Sequence, residues 1–210
     1  MSKAPRSAET IWPDFAKTEK LSDHQLSQFQ RYEALLSERN KETNLTAIKD
    51  LLGIVRQHFQ DSLILRKFVD LDAISSIADV GTGAGFPAIP LKILFPHLKV
   101  VLIEVNKKKQ AYLADLISIL ELENVEICDL DWRTFLRKTS GKIDLFVTRA
   151  AIEESELCRM FKPSCEHKNA TLVYWAAELW ECNKFVAHLV KRTENYKMGQ
   201  RNRKLIFFGL

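Results

Sequence analysis

Asp79-Val80-Gly81-Thr82-Gly83-Ala84-Gly85-Phe86 is the stretch that decides the fold. It closes a short apolar run, residues 76–80, and holds three of the chain's seven glycines within five positions. Glycines so grouped let the backbone turn sharply and lie against a ligand with no side chain between. The helix that follows carries Pro87 in its first turn, where a missing N–H breaks no helical bond. A strand, a glycine turn and a helix in this order form the ligand loop of an open parallel sheet, whose sites lie at the carboxyl ends of the strands.

The same grammar continues downstream. Apolar strands are predicted at 99–104, 125–128, 143–148 and 171–175, with helical stretches between them. Asn106 caps a helix carrying Tyr112, Leu113, Leu116, Ile117 and Leu120 at helical spacing. The last segment reads as a hairpin, 187–197 and 204–208, turning through Gly199-Gln200-Arg201-Asn202. Alternating β and α units imply an α/β, Rossmann-like fold. Its seven-stranded sheet is mostly parallel and ends in a C-terminal antiparallel hairpin. Upstream, Leu26, Phe29, Tyr32 and Leu36 share a helix face, 40–46 is a polar loop, and a second helix after Asp50 turns Leu51, Ile54, Val55, Phe59, Ser62 and Leu63 inward. The chain thus divides into a flexible arm at 1–20 anchored by Trp12 and Phe15, an N-terminal helical extension at 21–72, and the main domain at 73–210.

Composition narrows the class. The 210 residues are 46% hydrophobic and 28% charged, which suits one folded domain with an extension rather than a disordered chain. A net charge of +4 permits a polyanionic partner without requiring one. The four cysteines form no C-x-x-C pair and have no zinc-type histidine spacing, so reduced thiols and no metal site are expected. The polar first twenty residues carry no signal peptide, and no run approaches the roughly 20 apolar residues of a membrane span, so a cytoplasmic, membrane-free protein is expected.

The cofactor class follows from the loop. A dinucleotide fingerprint needs a third glycine where Phe86 stands, and no G-K-[ST] follows for a P-loop. Asp79 would repel a pyrophosphate but suits the ammonium of a methionine moiety. Glu104 ends the next strand, where its carboxylate can accept both hydroxyls of an adenosine ribose. S-adenosyl-L-methionine therefore fits Asp79, Gly81, Gly83, Gly85, Phe86 and Glu104 better than NAD does.

Beyond the loop, D-V-G-T-G-A-G-F-P-A-I-P-L, Asn44-Leu45-Thr46-Ala47-Ile48, His58-x-x-Asp61-Ser62, Glu104-x-x-Lys107-Lys108 and Thr148-Arg149-Ala150 together span about residues 40 to 155. In these motifs the chain resembles the bacterial small-subunit (16S) ribosomal RNA guanine-N7 methyltransferase G family, also called glucose-inhibited division protein B. The resemblance implies a class I S-adenosylmethionine-dependent methyltransferase fold in a monomer. It implies ribosomal RNA or the small ribosomal subunit as partner, with methylation of guanine N7 in the loop near the decoding centre. It places Gly81 and Phe86 in the cofactor pocket, Trp132 and Arg133 where the chain passes the adenine, and Arg149 beside the cofactor. The chain departs from the family at Ala88, where glycine is usual, and in the charge order of Asp131-Trp132-Arg133. It departs again at Trp175-Ala176-Ala177, which replaces a Lys-Gly. A degenerate member that binds cofactor or RNA without catalysis is thus an alternative, as is a methyltransferase acting on a small molecule or a protein.

Guanine N7 carries an exposed lone pair, so no general base is required and positioning is the enzyme's main contribution. Arg149 has three open readings: a donor to guanine O6, a partner of the cofactor carboxylate, or a structural ion pair. His58 and Asp61, three apart on a helix, face one side, either over the pocket mouth or in an interhelical hydrogen bond. Lys107 and Lys108, with Lys109, Arg39, Lys41, Arg201 and Arg203, form either an RNA-phosphate rim or a solvated face.

Overall fold

The computed structural model describes residues 7–149 and 152–210. Its strands are β1 (Ser76–Val80), β2 (Lys99–Ile103), β3 (Val125–Cys128), β4 (Leu145–Arg149), β5 (Thr171–Ala177), β6 (Val190–Met198) and β7 (Arg201–Phe208). They make one sheet in the order β3-β2-β1-β4-β5-β7-β6. The first five run parallel, and β7 is antiparallel to both β5 and β6. Winding proceeds outward from β1 to β3 and then restarts at β4 on the other side of β1. The carboxyl ends of β1 and β4 therefore flank the switch point, where connections leave in opposite directions and open a crevice.

Alternation along the strands builds two cores. Ile77, Leu102, Leu145, Val147, Trp175 and Leu205 point to one face. Ala78, Val80, Ile103, Phe146, Tyr174 and Ile206 point to the other. The first face is covered by α1 (Ala8–Glu19), α2 (Asp23–Thr43), the helical run 51–67, α5 (Ala88–Leu94) and α6 (Lys107–Ile119). The second is covered by α7 (Trp132–Lys138), α8 (Glu154–Leu157) and the 3₁₀ turn Cys158–Phe161. Within the run, α3 (Leu51–Ile54) opens into a π turn (Val55–Gln60), continues as α4 (Asp61–Leu63) and tightens into a 3₁₀ turn (Ile64–Lys67).

A full capping box of Ser22 and Gln25 starts α2. Polar anchors then fix its position: Gln28 Nε2 donates to the Leu120 carbonyl at 2.7 Å, and Tyr32 Oη to the Ala84 carbonyl at 2.6 Å. The helical extension and the sheet thus share a single hydrophobic cluster.

Three expectations are corrected. Residues 8–19 of the arm are helical, with Ile11 and Phe15 buried and Phe15 edge-on to Phe29 at 5.0 Å. Pro13 inside this helix obscures the stripe in the sequence. Pro87 lies one place ahead of α5, as its N-cap, rather than in its first turn. The hairpin turns over Gly199-Gln200 alone, because Gly199 takes φ of 62° and lets β7 begin at Arg201. Among the described residues no helix is long and apolar enough to cross a membrane.

Candidate functional site

The glycine loop leaves β1 at the switch point and is stitched to the end of β2. The amides of Gly81 and Thr82 donate to the Ile103 carbonyl at 2.9 and 3.2 Å. Two glycines have separable tasks. Gly85, at φ +97°, lies so close to α2 that a Cβ would sit 2.8 Å from Tyr32 Oη and 2.9 Å from Ile89 Cγ1. Gly83, at φ +60°, would place a Cβ in open space, with only the Gly81 carbonyl at 3.9 Å. Phe86 stacks on two rings, Tyr32 at 5.2 Å and 10° and His58 at 4.5 Å and 14°.

Two carboxylates underlie the loop. Glu104 accepts the Gly83 amide on Oε2 at 3.0 Å and the Asn106 amide on Oε1 at 2.9 Å, so it joins the loop to the start of α6. Asp79 is fully buried; its Oδ2 accepts from Thr82 Oγ1 at 2.8 Å and from the Ala88 amide at 3.0 Å, while Oδ1 has no partner. Burial pushes the Asp79 carboxyl up to about 7, against the opposing pull of those two bonds and of Arg149. Position 88 contributes an amide, which alanine supplies as well as glycine does.

Arg149, the last residue of β4, reaches across to the 51–67 run. Its Nη1 donates to the Gln57 carbonyl at 3.0 Å and lies 3.5 Å from Asp61 Oδ2, and its Nη2 meets His58 Nδ1 at 2.9 Å. Its Cζ stands 5.0 Å from the Phe86 ring centre. Thr148 Oγ1 ties β4 back to β1 through the Val80 carbonyl at 2.9 Å. His58 Nε2 pairs with Thr46 Oγ1 at 2.7 Å, which ties in the polar loop after α2. Burial, then the charge of Arg149, pulls His58 down to about 3. Asp61 is the hub beneath: its Oδ1 accepts from Tyr196 Oη at 2.7 Å and its carbonyl accepts from Trp175 Nε1 at 2.9 Å. Arg203 Nε lies 3.4 Å from the same Oδ1, an ion pair without hydrogen-bond alignment that leaves a buried N–H unbonded.

The loop, Asp79, Glu104, Phe86 and Arg149 lie together at the switch point, and His58 and Asp61 join them through Arg149. The other predicted residues lie differently. Trp132 is buried in the second core with its indole N–H on the Glu156 carbonyl at 2.9 Å, and Arg133 is exposed and pairs with the Glu156 carboxylate at 2.6 Å. Lys107 is exposed and paired with Asp129 at 2.9 Å, and Lys108 is exposed beside it. Ala150 of the Thr148-Arg149-Ala150 motif lies outside the described residues. Sequence reasoning did not name Tyr32 or Tyr196 for the site, and no local signal marks either. It also passed over Val105, an apolar residue 58% exposed directly after Glu104. Among the described residues no group of three or more His, Cys, Asp or Glu side chains could hold a metal.

Residues 25–206 match the family model for rRNA small subunit methyltransferase G. The chain is similar to a protein named ribosomal RNA small subunit methyltransferase G from Aster yellows witches'-broom phytoplasma, 46% identical over 106 residues and covering 50% of this chain and 50% of that protein. A protein of the same name from Lysinibacillus sphaericus is 36% identical over 183 residues, 84% of this chain and 77% of that one. The chain thus spans about half the length of the phytoplasma relative and more of the other. Among solved structures, a SAM-dependent methyltransferase from Aquifex aeolicus superposes with a TM-score of 0.55 at 18% identity, over 80% of this chain and 97% of that one. At that identity the likeness is one of fold.

Proposed function

Since the chain belongs to the family of rRNA small subunit methyltransferase G, we propose that it transfers a methyl group from S-adenosyl-L-methionine to N7 of a guanine in small-subunit ribosomal RNA, acting as a cytoplasmic monomer. The observation that carries this reading is the glycine loop resting on Glu104 and Asp79 at the switch point of the sheet. The residues fit the cofactor. Gly83 faces space that a Cβ would fill, and Asp79 keeps a buried acceptor oxygen unbonded. A carboxylate has about four lone-pair sites, so Glu104 can hold its two amides and still accept two ribose hydroxyls. Val105 offers an apolar surface to the base. Since the Trp132 and Arg133 side chains are engaged by Glu156, contact with the adenine there falls to the main chain.

Bound S-adenosylmethionine supplies a methyl group on a positively charged sulfur. The chain supplies position. Guanine N7 needs no deprotonation, and His58, with both nitrogens engaged, is not free to act as a base. Arg149 spends three of its five N–H donors on Gln57, Asp61 and His58, which fixes its plane and leaves the rest for guanine O6 or the cofactor carboxylate. The test is incubation with labelled cofactor and unmodified small-subunit RNA, intact subunit and assembly intermediates, followed by nucleoside mass spectrometry. N7-methylguanosine is expected. A protein that binds cofactor yet methylates none of the three substrates would leave the binding-only alternative, and methylation at another base atom would replace the guanine-N7 assignment.

A further inference from the structure

The terminal hairpin outruns its sheet. The last pair joining β5 to β7 is Ala177 with Arg203, but β6 and β7 continue through Lys197–Asn202 and Met198–Arg201 to their turn. The overhang leaves from the carboxyl edge, the edge that carries the glycine loop and Arg149. Arg201 Nη1 bonds Gln57 Oε1, next in sequence to His58, and so holds the overhang in place relative to the Arg149 cluster. Beside it lies a groove of about 560 Å³ lined by Glu178, Asn195, Lys197, Asn202, Arg203 and Lys204, among others.

The groove is built for an anion. Asn195 and Lys197 lie two apart on β6, opposite Lys204 and Asn202 on β7, so all four side chains leave the same face of the hairpin. Their one acidic neighbour among the lining residues, Glu178, already accepts from Asn202 Nδ2 at 2.8 Å. Lys204 Nζ reaches only the Trp180 carbonyl, at 3.4 Å, and the Lys197 ammonium and Asn195 amide have no partner among the described residues. We infer that this groove seats the sugar-phosphate backbone of the substrate RNA next to the nucleotide being methylated. The inference rests on the RNA reading above. Two ammoniums with neutral amide donors between them, at the same carboxyl edge as Arg149 but on the hairpin face opposite Tyr196 and Arg203, suit a chain of phosphates that passes over that edge.

The experiment compares Lys197→Gln/Lys204→Gln with a control pair at the opposite edge of the sheet, Lys99→Gln/Lys138→Gln, which removes the same charge from exposed positions. Binding of a small-subunit RNA fragment is followed against salt, and methylation against RNA concentration. The groove variant should flatten the slope of log K against log salt by about 1.4, two contacts at about 0.7 each for single-stranded RNA. It should also raise KM for RNA roughly tenfold, with kcat and cofactor affinity unchanged, since contacts made equally in ground and transition states act on binding alone. The exposed single variant Lys197→Gln should give about half the slope change, and unchanged cofactor affinity reports that each variant is folded. Equal effects from the groove and control pairs, or an unaltered slope in the groove variant while the wild-type protein methylates RNA, would overturn the groove and leave the function intact. A wild-type protein that neither binds nor methylates RNA would overturn both.

Discussion

Arg149 donates from Nη2 to Nδ1 of His58 across 2.9 Å, and this bond fixes the tautomer of the imidazole. A guanidinium has no acceptor, so Nδ1 must accept and the single ring proton resides on Nε2, directed at Thr46 Oγ1. The arginine that ends β4 is therefore oriented by a histidine that is itself oriented by the loop after α2.

If that orientation serves the reaction, Arg149→Lys should retain the positive charge yet lose most of the rate, because an ammonium lacks the planar fork. Single-turnover methylation at saturating cofactor should fall at least roughly tenfold, about 1.4 kcal/mol of transition-state stabilisation. Arg149→Ala should fall further. Unchanged turnover with weakened cofactor binding would assign Arg149 to the cofactor carboxylate.

The depressed His58 makes stability acid-sensitive. Its value drops from 6.5 in the unfolded chain to about 3 in the fold, so between those limits the unfolded chain binds more protons. Stability is complete above 6.5 and is lost as acid is added, at up to about 1.4 kcal/mol per pH unit. In His58→Gln, which keeps an acceptor for Arg149, urea midpoints between pH 4 and 6 should vary less than in the wild type.

Asp79 works in the opposite sense. Raised from 3.8 to about 7, it favours the folded chain fully below 3.8, and that contribution is lost as pH rises through 7. Asp79→Asn keeps an acceptor for Thr82 and Ala88, so at pH 8 it should stabilise the ligand-free protein by up to about 4 kcal/mol in denaturant titration. Wild-type cofactor affinity should rise between pH 6 and 8 as the carboxylate forms to meet the ammonium, and Asp79→Asn should abolish that rise in calorimetry. A tight, pH-dependent asparagine variant would place the ammonium elsewhere.

The two glycines should separate folding from binding. Gly85→Ala combines a positive φ with a clash against Tyr32 and Ile89, and should cost roughly 2–4 kcal/mol of stability. Gly83→Ala carries the backbone strain alone, about 1–2 kcal/mol, yet should lose cofactor affinity at least tenfold because its methyl enters the open side of the loop. Thermal melts and calorimetry on the pair would show it.

Glu104→Gln keeps the shape but removes the charge and one acceptor oxygen, so either the Gly83 or the Asn106 amide loses its partner. Cofactor affinity should drop ten- to a hundredfold, the equivalent of about 1.5–3 kcal/mol for hydrogen bonds to a charged group. An unchanged affinity in a folded variant would place the ribose away from β2.

The parts legible in the sequence were those set by local pattern. β1 and β3 fall at the residues that apolar runs predict, and Asn106 caps α6 through the amides of Lys108 and Lys109. The glycine loop announced its own position because turn chemistry is a property of neighbours. The Arg149 cluster did not, since His58 meets Arg149 across 91 residues and Tyr196 meets Asp61 across 135. His58 and Asp61 stand in one motif, Arg149 in another and Tyr196 in none, and only the sheet order brings the four together. The π turn was equally hidden: both an ideal helix and a widened one place Val55, Phe59 and Leu63 inward, so the periodicity does not distinguish them.

Asp61 takes its hydroxyl partner from β6, its indole partner from β5 and a guanidinium from β4, although it belongs to the helical run ahead of β1. A chain emerging from the ribosome makes that carboxylate 135 residues before its Tyr196 partner. Until the hairpin is made, Oδ1 of that carboxylate lacks the Tyr196 hydroxyl, and burying it unpaired would cost free energy. The last side-chain partner of the site's central carboxylate is therefore made well after the glycine loop, Glu104 and Arg149 are in the chain.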